Sequence, residues 1–283
     1  MTFNTELWNG QAPGAEGYQI ERSLRFNSSD SAYLSRTPAS AGSRTTWTWA
    51  GWVKRSALGT SQQIFGGNQS TNPYTIINFD NDDTFRLLDS PSSTKYNTQA
   101  VFRDVSAWYH IVIACDTTQS TTADRLKIYV NGTESPLTVT SAFSQNYETQ
   151  INTTTEHRIG RWLSTFGLYL DGYLADIHFI DGQALDPTSF GEFDANGVWQ
   201  PKAYTGTYPG NSFHLPFSDN STAAALGTDT SGNSNTWTVN NISVTAGSGN
   251  DSLVDTPTNY GTDTGAGGEV RGNYCTWNAL AKG

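Results

Sequence analysis

The chain has 283 residues, with 16 basic and 26 acidic side chains, a net charge of −10 and only 15% charged residues. Its 38 Thr, 28 Ser and 22 Asn stand against 8 Glu and 5 Lys, a bias toward strands and turns that excludes long helices and coiled coils. An acidic chain with scattered Arg excludes a nucleic-acid surface, no apolar run approaches membrane-spanning length, and nine Trp argue against disorder.

In chain order, MTFNTELWNG opens a polar stretch that lacks the basic start and apolar run of a secretory leader, and residues 1–21 read as an N-terminal extension. Arg22–Phe26 alternates as a strand. Thr46–Lys54 places Trp47, Trp49, Gly51 and Val53 on one face and Thr48, Ala50 and Trp52 on the other. Tyr74–Phe79 and Thr84–Leu88 flank Asp80-Asn81-Asp82-Asp83 as a hairpin with an acidic tip. Trp108–Cys115 is apolar on both faces and reads as a central strand, with Cys115 a buried small hydrophobe. Arg125–Val130 ends in Asn131-Gly132, a type I′ turn signal. Strands follow at Arg158–Trp162 and Leu168–Ile180. Asp186-Pro187 then starts a single capped helical turn.

This spacing predicts an all-β, two-sheet antiparallel sandwich over 22–200. Strand-like pieces at Phe213–Phe217 and Thr236–Val244 complete it within 201–245. From 246 to 283 apolar residues thin out into an extended arm or linker that ends near Trp277.

Two site chemistries are legible in the loops. Asp80, Asp82 and Asp83, with Asn78 and Asn81, offer hard oxygen ligands that calcium accepts; the other reading is a solvated acidic tip. The loops 66–74 and 161–166 combine aromatics with amides, so Asn68, Asn72, Tyr74, Arg161 and Trp162 are candidate glycan contacts. Trp162 could equally cap the sandwich. The histidines His110, His157, His178 and His214 are isolated in sequence, and no local pair supports a catalytic or metal constellation.

The succession Ser23-Leu24-Arg25-Phe26, TWAGWVK at 48–54, Trp108-Tyr109-His110-Ile111-Val112, Leu126–Gly132 and Leu170–Ile177 resembles the laminin-G / concanavalin-A-like lectin–glucanase superfamily. The resemblance implies a jelly roll used in carbohydrate or protein recognition. It also implies circular permutation, because the segment like Phe213–Ser218 and Trp237–Asn241 normally precedes the strand at Ser23. Glucanases of that superfamily carry carboxylates at positions one, three and six of a strand. The nearest match, Glu192-Phe193-Asp194-Ala195-Asn196-Gly197, lacks the third acid. The wording around Gly249–Asp255 and Gly272-Asn273-Tyr274 resembles virion structural proteins of marine tailed phages. This second resemblance implies a non-enzymatic tail fibre, spike or capsid decoration on the virion surface. Its expected partners are virion proteins, copies of itself and a host-surface glycan, with no nucleic acid and no membrane insertion. A polysaccharide-degrading glycoside hydrolase is the alternative.

Overall fold

Strand formers interrupted by Gly, Asn and Asp fold as their spacing predicts. The computed structural model describes residues 17–67, 72–90, 93–162 and 168–258. The strands are β1 (Ser23–Phe26), β2 (Tyr33–Arg36), β3 (Thr46–Arg55), β4 (Gln62–Gly67), β5 (Tyr74–Phe79), β6 (Thr84–Ser90), β7 (Thr94–Val101), β8 (Tyr109–Asp116) and β9 (Leu126–Val130). They continue with β10 (Thr133–Glu134), β11 (Leu137–Ser141), β12 (His157–Ile159), β13 (Gly172–Asp181), β14 (Gly191–Phe193), β15 (Trp199–Pro201), β16 (Phe213–Leu215), β17 (Thr238–Asn240) and β18 (Ser252–Leu253).

Two large antiparallel sheets face each other. The first runs β10-β9-β8-β3-β13-β1-β18, with β16 also on β13; the second runs β11-β7-β6-β5-β4-β12-β2-β17. The residues between them come from alternate positions of both, including Trp47 and Trp49 of β3, Phe79 of β5, Ile111 and Ile113 of β8 and Leu174 of β13. Burial of these large apolar groups is the main force holding the layers together. Asn131 and Gly132 both take positive φ between β9 and β10, as a type I′ turn requires.

The outer face of the first sheet is also covered, which explains why β3, β8 and β13 are apolar on both faces. Trp52, Trp108 and Tyr173 pack with Ile20 and Trp199. Ala50, Val112 and Ile180 pack with Phe190, Leu185, Tyr204 and Tyr208. Asp186 caps the single turn Pro187–Ser189 in this covering segment by accepting from the Thr188 N–H at 2.8 Å.

The segment 201–245 takes places in both sheets, β16 against β13 and β17 against β2. The boundary at 245 needs correction, because the sandwich continues to residue 258. β18 pairs with β1, Asp251 holds the buried Arg25 at 2.8 Å, and Asp255 holds Lys54 at 2.7 Å. Polar composition hid this, since the buried groups here are carboxylates and hydroxyls satisfied by the sheet. Tyr18 and Ile20 likewise pack onto the first sheet, so the domain starts before residue 22. The remainder of the expected arm, with Trp277, lies outside the described residues.

Candidate functional site

Two polar regions stand out, one on the outer face of each sheet. On the second sheet, Phe65, Ile77, Phe79, Phe85, Leu87 and Tyr96 point into the core, so their strand neighbours point outward. Register then aligns Gln63 of β4 with Asn78 of β5, Asn78 with Arg86 of β6, and Arg86 with Asn97 of β7. The result is a polar row across four strands. Arg86 Nε donates to Asn78 Oδ1 at 3.0 Å, and its Nη1 donates to Asp80; Lys95 Nζ lies 3.9 Å from the same carboxylate. Both amide atoms of Gln63, and Oδ1 of Asn97, are buried with no hydrogen-bond partner among the described residues. Such groups are costly to leave unpaired and are rare without a functional reason.

Of the glycan candidates, Tyr74 falls on this sheet, and Asn72, Arg161 and Trp162 lie in segments flanking its strands β5 and β12. Tyr74 lies on the outer side of β5, and Trp162 meets it edge-on with ring centroids 4.9 Å apart. Trp162 is itself only 9% exposed, so Tyr74 is the more accessible ring of the pair. Arg161 stacks on Tyr33 at 4.8 Å and Tyr169 at 4.9 Å, while Asn72 Oδ1 accepts from Ser90 Oγ at 3.1 Å. Asn68 lies outside the described residues. The loop composition singles out Tyr74 and Trp162, whereas the amide row depends on cross-strand register and has no local signal.

The three acids expected to hold calcium are not brought together as a ligand set. Asp80 faces Arg86 and accepts from Ser61 Oγ at 2.9 Å. Asp82 Oδ1 accepts from the Thr84 hydroxyl at 2.6 Å and its N–H at 3.0 Å, and the hydroxyl bond above all lowers its pKa. Asp83 is held between Arg55 and Arg103, each at 3.0 Å, and the Gly59 N–H at 2.8 Å. Burial alone would raise the Asp83 pKa, but these donors together lower it. The arginines come from β3, β6 and residue 103, so the acidic spacing alone could not reveal them.

A convergent ligand set does occur on the first sheet. Ala175 of β13 pairs with Trp52 and His178 with Ala50, so Asp176 and Ile177 together face Gly51. This β-bulge puts Asp176 at φ 51°, the left-handed region, and turns its side chain to the same face as His178. The opposite edge of β13 changes partner at the same place, from β1 at Gly172–Leu174 to β16 at Ile177–Phe179. Pairing of His178 with His214 then stacks their rings at 4.2 Å and 7°.

Asp176 Oδ1 lies 2.7 Å from His214 Nε2 and accepts from Tyr18 Oη at 2.8 Å; Oδ2 lies 3.4 Å from His178 Nε2. The far nitrogens are braced, His178 Nδ1 by Tyr208 Oη and His214 Nδ1 by Thr230 Oγ1, both at 2.8 Å. Burial would raise the Asp176 pKa, yet the two imidazoles, His178 foremost, hold it well below the usual carboxylate range. Burial, reinforced by His214, lowers His178, and burial beside Asp176 keeps Tyr18 a protonated phenol. A cavity of about 180 Å³, lined by Tyr18, Gln19, Glu21, Pro216 and Ser218, reaches Asp176.

The sequence pattern of the Concanavalin A-like lectin/glucanases superfamily matches residues 26–189. The chain belongs to this superfamily. Its two antiparallel sheets are those of a lectin-like jelly roll. Among solved structures, it is similar to a heptameric pentraxin of Limulus polyphemus, with 15% identity, TM-score 0.41, 59% of this chain covered and 79% of that one. A Bacteroides ovatus protein described as a candidate carbohydrate-binding protein shares 14% identity, TM-score 0.43, with 66% and 63% covered. Mouse laminin alpha1 domains LG4-5 share 15% identity, TM-score 0.42, with 60% and 44% covered, so the chain spans less than half of that protein. No curated protein matches the chain significantly.

For the glucanase side of the superfamily, the nearest acids lie off the sandwich. Glu192 sits in β14, which pairs with β15 in a separate two-stranded ribbon. Asp194 caps the adjoining turn, accepting from the N–H groups of Asn196 and Val198 at 2.8 Å each.

Proposed function

We propose that this lectin-like jelly roll is a non-enzymatic recognition module of a virion surface protein, a tail fibre, spike or capsid decoration, that binds a host-surface glycan through the outer face of its second sheet. The carrying observation is the outward side of β5, β6 and β7, where half-buried Tyr74, Arg86 and Lys95 border the buried amides of Gln63, Asn78 and Asn97. Sugars present closely spaced hydroxyls that both donate and accept, which amides and arginine match in pairs. Tyr74, braced by Trp162, adds a ring for the apolar face of a pyranose. Membership of the superfamily supports a binding role, and the phage-like wording after residue 249 supports the virion setting. Symmetric self-assembly and contacts with other virion proteins belong to the same proposal.

The experiment is a screen of bacterial surface polysaccharides for both binding and release of reducing ends. Saturable binding without turnover supports the proposal. Turnover would place the protein with the hydrolases, and absence of binding across the panel would leave an architectural role.

A further inference from the structure

We propose that Asp176, His178 and His214 form a binding site for one first-row divalent transition-metal ion, of which zinc is the probe. This site lies on the first sheet and is independent of the glycan face. One carboxylate oxygen and two imidazole nitrogens all lie within 4.8 Å of one another, the one such group among the described residues. A tetrahedral ion with bonds of about 2.1 Å separates its ligand atoms by roughly 3.4 Å. His214 approaches Asp176 Oδ1 at 2.7 Å and His178 approaches Oδ2 at 3.4 Å, with the two rings stacked at 4.2 Å, so side-chain rotation that converges the two nitrogens on the carboxylate admits the ion.

The decisive atom is His178 Nε2. His178 is 2% exposed, and Nε2 is buried without a hydrogen-bond partner while pointing toward Asp176 Oδ2. In the tautomer whose Nδ1–H donates to Tyr208 Oη, His178 keeps its Nε2 lone pair for a Lewis acid. Both histidines show the bracing seen around metal-binding imidazoles, in which the non-ligating nitrogen is held by a second group that fixes ring and tautomer. Here the braces are Tyr208 and Thr230, while Tyr18 holds the carboxylate. Two neutral nitrogens and one carboxylate suit zinc, cobalt, iron or nickel rather than calcium or magnesium, which take oxygen ligands. Three protein ligands leave further coordination positions open, and the cavity beside Tyr18 and Ser218 gives room for water to fill them.

The site also has a structural logic. His214 belongs to β16, in the segment that returns to the sandwich after residue 201, and the other two ligands belong to the central β13. An ion here clamps that returning segment to the sheet at the bulge. Bound zinc at 100-fold excess over its dissociation constant raises the melting temperature by roughly 5–10 °C for a domain of this size.

The test uses the untagged full-length chain, stripped of metal and titrated with Zn(II) and Co(II). The expected result is one equivalent per chain, with the visible cobalt bands of a low-coordinate nitrogen–oxygen site. His214→Ala and Asp176→Asn should remove these bands and weaken zinc binding by 100-fold or more. Thr230→Val keeps all three ligands and should weaken binding by about 10-fold to 100-fold. If the ligand variants fail to fold, the wild-type protein decides by X-ray absorption, where two imidazoles must appear in the zinc shell. No stoichiometric binding by the wild type, a shell without two imidazoles, or binding unchanged in folded His214→Ala and Asp176→Asn proteins overturns the proposal.

Discussion

Replacing His157 by Gln should flatten one part of the pH dependence of stability. His157 opens β12 in the second sheet and is buried. Its Nε2 accepts the Asn152 N–H at 2.9 Å, and its Nδ1, 2.9 Å from the Thr155 carbonyl, donates to it. One nitrogen therefore accepts and the other donates, an arrangement only the neutral ring satisfies. A proton on Nε2 would confront the Asn152 N–H and lose that bond. Burial, first of all, pushes the pKa down from 6.5 to about 4; Arg36 also lowers it, while the Thr155 carbonyl and Glu156 act the other way. In the unfolded chain the imidazole takes up its proton near pH 6.5. Between there and pH 4 the unfolded state holds more protons, so stability falls as pH falls. The contribution is complete above pH 6.5 and lost progressively down to about pH 4. A gap of roughly 2.5 units corresponds to about 3 kcal/mol. The assay is urea unfolding followed by Trp fluorescence, for wild type and His157→Gln, at pH 8 through pH 4. Other titrating groups act in both chains and cancel in the difference. The wild-type advantage should shrink by about 3 kcal/mol over that range. A difference constant with pH would refute the assignment of a neutral, buried His157.

Three further outcomes rest on buried contacts. Asp83→Asn leaves the fully buried Arg55 guanidinium without its carboxylate and should cost about 3–5 kcal/mol in denaturant unfolding; a cost near zero would mean the pair does not hold the acidic turn. Asp251→Ala removes the acceptor for both Arg25 Nε and the Ser243 N–H, each at 2.8 Å, and should cost a similar about 3–5 kcal/mol. An unchanged melt there would return residues 246–258 to the status of an arm. Gly160→Ala sets a Cβ 2.3 Å from the Phe26 ring at φ +83° and should cost more than about 1 kcal/mol, measured by thermal unfolding.

The strands are legible because local pattern determines them. The doubly apolar β3 and β8, the Asn131-Gly132 turn and the cap at Asp186 all appear in the sequence where the structure has them. The sites are not, because each depends on which residue lies beside which across a sheet. The bulge at Asp176 follows from the change of partner along β13, and alternation alone would have aimed that carboxylate into the core. His178 and His214 meet only through the β13–β16 register. The polar row through Gln63 and Asn97 needs three strand pairings at once. Conversely, the acidic tip at 80–83 looks like a cation site because sequence shows the carboxylates together and not the arginines that reach them. Buried polar side chains at 251–258 pass for a solvated arm for a related reason: hydropathy cannot tell a satisfied buried carboxylate from a solvated one.

Glycan binding by the second sheet is tested most directly by titrating a host surface polysaccharide into wild-type, Asn97→Ala and Tyr74→Ala proteins. Each substitution removes one outward group while leaving the facing core intact. The predicted result is saturable binding by the wild type, weakened about 3-fold to 10-fold by Asn97→Ala, the equivalent of one neutral hydrogen bond. Tyr74→Ala should weaken it further, with both variants keeping the wild-type fold by circular dichroism despite the lost Asn97–Thr84 and Tyr74–Trp162 contacts. Saturable binding that neither substitution alters would contradict the assignment of that face.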